Sequence, residues 1–205
     1  MVRGPEQTRT FLPHSPKKVL AMVLLVTAIF VVVFAVYLST VVVKAHGATN
    51  NLIASESGTT LTGPLQGKQL PNFSLAGLQG PAQIGSSFVA GKPAVINFFA
   101  SWCTSCQAEM STLATTSKEF SSRVTFLGVD ENDVRSSATK FLSKYGVTYP
   151  VAFDPKVSLQ GAFKLVGLPT TLFVEPSGKI YREILGTMSK SVLMQNLKAL
   201  EKVSK

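Results

Sequence analysis

Only two cysteines and two histidines occur in this chain of 205 residues. Both histidines, His14 and His46, precede the stretch that reads as a folded domain, which therefore has no imidazole for a metal or for acid–base work. A structural zinc takes four Cys or His ligands as a rule, so two cysteines without a histidine cannot complete a site within one chain. No metal ligands are assigned. Acidic residues are also sparse, 11 against 20 Lys and Arg, for a formal charge of +9. Yet no basic run occurs inside the domain, which argues against nucleic acid and for a solvated basic surface with a weak preference for acidic partners or anionic lipid headgroups. No internal repeat is present.

One long apolar block is present. Val19 to Val43 runs 25 residues without a charge, enough to cross a bilayer as a tilted helix and without the polar face of a core helix. A cleaved signal peptide is the rival, because Ala45-His46-Gly47 offers small residues at a cut site. Its apolar core would span about 7 to 15 residues, well short of this block, so length favours an uncleaved anchor. No Cys follows the block to carry a lipid. Arg3, Arg9, Lys17 and Lys18 precede it, while Lys44 is the lone basic residue just after it. The positive-inside rule then leaves the amino end cytoplasmic and the domain outside, at a cell membrane of bacterial type, where disulfide chemistry is possible. The organisation expected is a basic tail (1–18), an anchor (19–43), a flexible Thr/Ser/Asn/Gly linker (44–63) and one domain (64–205).

A domain of about 140 residues can bury a sufficient core without staples, so its two cysteines need another explanation. The pattern predicts an extended segment and short hairpin up to Gly91, then a buried strand over 94–99. Next come a helix over 104–120, a strand over 124–129, a helix over 132–145 and a strand over 150–153. A helix over 156–163 and strands over 170–174 and 179–184 follow, the strands joined by Pro176-Ser177-Gly178, with a last helix capped by Ser189. Alternating elements of this kind build an α/β sandwich with a mixed sheet.

Trp102-Cys103-Thr104-Ser105-Cys106 stands where the apolar strand gives way to a helix. A C-x-x-C pair there puts both sulfurs in the first helical turn, within reach of a small-ring disulfide. Unpaired N–H groups and the helix dipole favour a thiolate at the first position, which makes Cys103 the nucleophile. Cys106, one turn in, resolves a mixed disulfide by attacking Cys103. A purely structural disulfide closing so short a loop would stabilise little, so redox work is favoured. Trp102 either shields the sulfurs or is plain core.

The stretch Asn97-Phe98-Phe99-Ala100-Ser101-Trp102-Cys103-Thr104-Ser105-Cys106, with Leu168-Pro169-Thr170-Thr171 further on, resembles the thioredoxin superfamily. It is most similar to the membrane-tethered TlpA/ResA/CcmG-like disulfide reductases, a likeness running from about Leu70 to the carboxyl end. Pro71-Asn72-Phe73-Ser74-Leu75 and Gly186-Thr187-Met188 are part of it. The resemblance implies a thioredoxin-like three-layer sandwich preceded by one transmembrane helix, and no cofactor beyond the redox-active pair Cys103, Cys106. It makes Pro169 a cis-proline whose loop, with Leu168, Thr170 and Trp102, meets the client chain. It makes Glu109 an acid that shuttles the Cys106 proton, where helical position alone equally suits an exposed Glu near a helix start. Glu131 is a weaker second acid. Thr104-Ser105 departs from relatives that carry Pro as the second residue between the cysteines, which leaves the redox direction open.

The implied function is reduction of client cysteine pairs outside the cytoplasm, with the haem-attachment cysteines of apocytochrome c as client and a membrane thiol carrier as electron donor. Three rivals stand beside it: a disulfide-forming oxidase, distinguished by reduction potential; a copper chaperone for respiratory oxidase assembly, using the two thiolates; and a thiol peroxidase. The last predicts Thr three residues before the reactive Cys, where this chain has Ala100.

Overall fold

The computed structural model describes residues 17, 20, 24–37 and 61–204. Residues 24–37 form an exposed helical stretch. Among the described residues no helix is long and apolar enough to cross a membrane, so the expected 25-residue span is not shown at that length. The rest of that span, 19, 21–23 and 38–43, and most of the basic tail and linker lie outside the described residues.

The chain from Leu61 onward builds one eight-stranded sheet. Its strands are β1 (Leu61–Thr62), β2 (Ser74–Gln79), β3 (Gln83–Gly85), β4 (Ala94–Phe99), β5 (Thr125–Glu131), β6 (Val151–Asp154), β7 (Thr170–Val174) and β8 (Ile180–Leu185). The spatial order is β1-β8-β7-β4-β5-β6-β2-β3. β4, β5 and β6 are parallel neighbours, while β7 runs antiparallel to β4. The sheet is mixed, as expected. The helices are α1 (Thr104–Glu119), α2 (Arg135–Tyr145), the single turn α3 (Gln160–Phe163) and α4 (Lys190–Val203).

Strand alternation sorts the core into two faces. Val95 and Phe99 of β4 meet Met110 and Leu113 of α1, Phe141 and Leu142 of α2, and Leu193, Leu197 and Leu200 of α4. Ala94, Ile96 and Phe98 point the other way, toward Val89, Leu159 and Phe163. Helix, sheet and helix make three layers, and β4 is buried along its whole length between them. Asn97 shares the α1 side of β4 with Val95 and Phe99, a placement that matters below.

Several boundaries differ from expectation. Leu61 and Thr62 of the expected linker pair with Leu185 and Ile184 of β8, because an edge strand with unpaired N–H groups accepts almost any extended chain. β5 continues through Asp130 and Glu131, both buried, since pairing with β4 and β6 overrides their poor strand propensity. α2 starts at Arg135, Asn132 having turned to a positive φ of 50° and Val134 being extended. The helix expected over 156–163 shrinks to one turn, Val157 also lying at positive φ.

Candidate active site

β4 ends at Phe99 and the chain reaches α1 through Ala100-Ser101-Trp102. Cys103 is the N-cap of α1, and its sulfur accepts the backbone N–H of Cys106 at 3.1 Å. Side chains that cap helices this way are normally hydroxyls or carboxylates; here a sulfur takes the role, with the Ser105 hydroxyl 3.4 Å away. The N–H and the helix dipole both stabilise negative charge on that atom. Cys103 and Cys106 are joined as a disulfide with Cα atoms 5.2 Å apart. Cys106 is fully buried, whereas Cys103 keeps 5 % of its surface in solvent. An attacking partner therefore meets Cys103 first.

The Leu168–Pro169 peptide is cis. Its loop lies against the C-x-x-C turn, the Ser105 hydroxyl donating to the Leu168 carbonyl at 3.4 Å. Pro169 and Thr170 are buried and Leu168 half-buried, and the Thr170 hydroxyl donates to the Gly167 carbonyl at 2.8 Å. Thr187 reaches in from the third side, its hydroxyl donating to the Ser105 carbonyl at 3.2 Å. Trp102 is 57 % exposed, which excludes the plain-core reading. Its indole N–H donates to the Asn132 carbonyl at 2.9 Å, holding the ring on the rim of the site.

Glu109 lies one helical turn beyond Cys106 on the buried face of α1. It is 2 % exposed, so the alternative of a solvated helix-start acid is not what forms. Asn97 Nδ2 donates to Glu109 Oε1 at 3.0 Å and to Thr171 Oγ1 at 2.9 Å, and the Met188 N–H donates to Glu109 Oε2 at 2.8 Å. Burial raises the carboxyl pKa and these two bonds lower it; burial wins, leaving it at about 7. A group poised there can take or give a proton at neutral pH.

The other flank is also acidic. Asp133 Oδ2 accepts the Ser101 N–H at 2.6 Å, two residues before Cys103. Asp130 is fully buried, and neither of its carboxyl oxygens has a hydrogen-bond partner among the described residues. Burial first, then the charge of Asp133, a carboxyl close enough to share Asp130's proton once it is bound, and then the charge of Glu131, push its pKa to about 8. Glu131 rises to about 7 through burial and the charge of Asp154. Asp154 instead is satisfied, accepting from Ser158 N and Oγ and from Leu159 N.

The structure thus gathers Cys103, Cys106, Leu168, Pro169 and Thr170 around one turn, places Glu109 beneath it and leaves Trp102 at its edge. Asn97, Met188, Asp130 and Asp133 had no assigned role in the sequence reading. Asn97 did leave a signal, as the one polar residue in the apolar run 94–99. Among the described residues no group of three His, Cys, Asp or Glu is arranged to hold a metal ion.

The family model for AhpC/TSA matches residues 66–183, more than half of the chain. The chain belongs to the AhpC/TSA family. It is 32% identical over 129 residues to the thiol-disulfide oxidoreductase ResA of Bacillus subtilis (strain 168), covering 62% of this chain and 72% of that protein. Among solved structures it resembles MTB dsbF, in its mixed oxidized and reduced forms, with a TM-score of 0.59 and 30% identity over 64% of this chain and 98% of dsbF. A thiol:disulfide interchange protein of the thioredoxin family from Chlorobium tepidum TLS gives a TM-score of 0.58 at 26% identity, covering 68% and 99%. These likenesses support membership of the TlpA/ResA/CcmG-like group and give the thioredoxin-like fold. The chain is a thiol–disulfide oxidoreductase whose redox group is its own cysteine pair, present here as the Cys103–Cys106 disulfide.

Proposed function

We propose that this chain is a membrane-tethered, extracytoplasmic reductase of client protein disulfides, with the haem-attachment cysteines of apocytochrome c as its client class. The observation that carries the reading is the buried Glu109, poised at about pH 7 one turn from Cys106. In the reduced enzyme the Cys103 thiolate attacks one sulfur of the client disulfide. That S–S bond breaks, one client thiolate leaves, and a Cys103–client disulfide forms. Cys106 gives its proton to Glu109 and attacks Cys103 Sγ, releasing the second client thiolate and producing the Cys103–Cys106 disulfide. Two electrons pass to the client. A membrane thiol donor restores the dithiol.

Trp102, Leu168, Pro169 and Thr170 receive the client chain. Location rests on the apolar block at 19–43 and the basic residues before it. A tether suits this work by raising the domain's concentration near membrane-bound partners.

Trapping tests the mechanism. Cys106→Ser should accumulate a mixed disulfide on Cys103 that dithiothreitol releases, and Cys103→Ser should trap nothing and lose at least about 100-fold in insulin reduction. Absence of any trapped thiol partner sinks the scheme. A reduction potential near that of DsbA, about −120 mV, would reverse the direction to oxidase, whereas one well below about −200 mV supports the reductase.

A further inference from the structure

The end of the domain away from the disulfide is basic. α1 starts at the Cys103 cap and, as a 16-residue helix, ends about 24 Å away. α4 begins beside Met188, which donates to Glu109, and ends where Arg123 pairs with Glu201 at 2.8 Å. This places the carboxyl ends of α1 and α4 together at the amino ends of β4 and β5, where Pro93 accepts the Thr125 N–H at 2.9 Å. Lys92, Lys118, Arg123, Lys198 and Lys202 gather there, all exposed. The acids in that region are Glu119, Glu201 and, beside Lys92 where the Gly91 N–H meets the Pro176 carbonyl, Glu175; Glu201 is taken up by Arg123. Lys118, Lys198 and Lys202 form no ion pair among the described residues.

A cleft of about 570 Å³ opens beside Arg123, Lys198 and Lys202, lined by these with Pro93, Glu201 and Ser204; Lys118 stands outside that lining, at the end of α1. Arg123 is held over the Phe120 ring at 4.3 Å, and Val203, next to Lys202 in the chain but outside the cleft lining, is 51 % exposed. The unpaired ammonium groups of Lys198 and Lys202 beside Pro93 suit a phosphate headgroup with the edge of its acyl region, because lysine stems can lie along apolar surface while their charges reach phosphate. Nucleic acid would call for a longer basic track with stacking aromatics.

We infer that this basic end is a docking surface for anionic phospholipid, which holds the domain on the bilayer with the disulfide facing away from it. The inference rests on the membrane-tethered reading above. Docking through the ends of α1 and α4 presents Cys103 roughly a helix length above the lipid, toward soluble client segments, and releases the domain when salt screens the contact.

The full chain, carried on nanodiscs of phosphatidylcholine alone or with about one-third phosphatidylglycerol, tests it by amide hydrogen exchange. Exchange at 116–123 and 198–203 should slow at least about threefold on the anionic discs only, and recover in about 0.5 M salt. The combined Lys118→Glu, Lys198→Glu and Lys202→Glu chain should lose that protection while reducing insulin in solution at the unaltered rate. Equal exchange on the two disc types overturns the inference, and needs no variant. So does protection appearing instead around 101–106 and 167–170. Matching protection by soluble polyglutamate would also overturn it, making the patch a site for acidic protein. Failure of the chain to associate with phosphatidylcholine discs would sink the tether; protection on anionic discs would still decide the patch.

Discussion

Two buried carboxyl groups stand on opposite flanks of the C-x-x-C turn, and they are treated very differently. Glu109 has a donor for each oxygen, from Asn97 and Met188; Asp130, sealed in β5, has no N–H donor among the described residues and faces the acids Asp133 and Glu131 instead. Both are pushed up by burial, to about 7 and about 8. The difference separates two uses of a buried acid. Hydrogen bonds that favour the charged form hold Glu109 where it can exchange a proton in either direction near neutrality. Without them, Asp130 stays protonated across the neutral range, and its ionisation works against the fold.

Breaking the first flank should have the largest effect. Glu109→Gln removes the proton acceptor, and the resolving attack by Cys106 should slow about 100-fold, with the inflection near pH 7 gone from the rate profile. Stopped-flow reduction of a model disulfide reads both. An unchanged profile would reduce Glu109 to a structural group.

Asn97→Ala strips the donor shared by Glu109 and Thr171 and should cost about 2 kcal/mol in urea unfolding. It should also move the rate inflection upward, because the Asn97 bond holds the Glu109 pKa down. A stability loss without that movement would uncouple the two residues.

The second flank makes a signed prediction about pH. A folded pKa of about 8 against an ordinary 3.8 means that folded Asp130 keeps a proton which the unfolded chain has lost. Stability is then full below about pH 4 as far as this group is concerned, is lost as pH rises from there to about 8, and loses no more above it. Glu131 adds the same sign up to about 7. Asp130→Asn should therefore raise stability by about 1 to 2 kcal/mol at pH 9 and change little at pH 5. Equal effects at the two pH values would contradict a protonated Asp130.

Trp102→Ala should matter least to the fold, within about 0.5 kcal/mol for so exposed a side chain. Client trapping on Cys103 should nevertheless weaken severalfold if the rim binds the client. Trapping that proceeds unaltered would remove Trp102 from the binding surface.

Much of this was legible in one dimension. The apolar run 94–99 and the cysteine spacing announced a buried strand feeding a reactive helix start, because period and helix-end chemistry are local properties. Resemblance supplied the interest in Pro169 and Glu109, and the folded chain shows a cis peptide at the first and burial at the second. The boundary at Leu61 was illegible, since an edge pairing is decided by a strand more than a hundred residues later.

By itself, the sequence determined the C-x-x-C chemistry, the alternating order of strands and helices, and the mixed sheet, all of which follow from short-range pattern. Only the tertiary structure decided that Glu109 is met by the donors Asn97 and Met188 while Asp130 is met by the acids Asp133 and Glu131. Burial and hydrogen bonding between residues distant in the chain set a carboxyl's pKa, and no spacing along the chain encodes them.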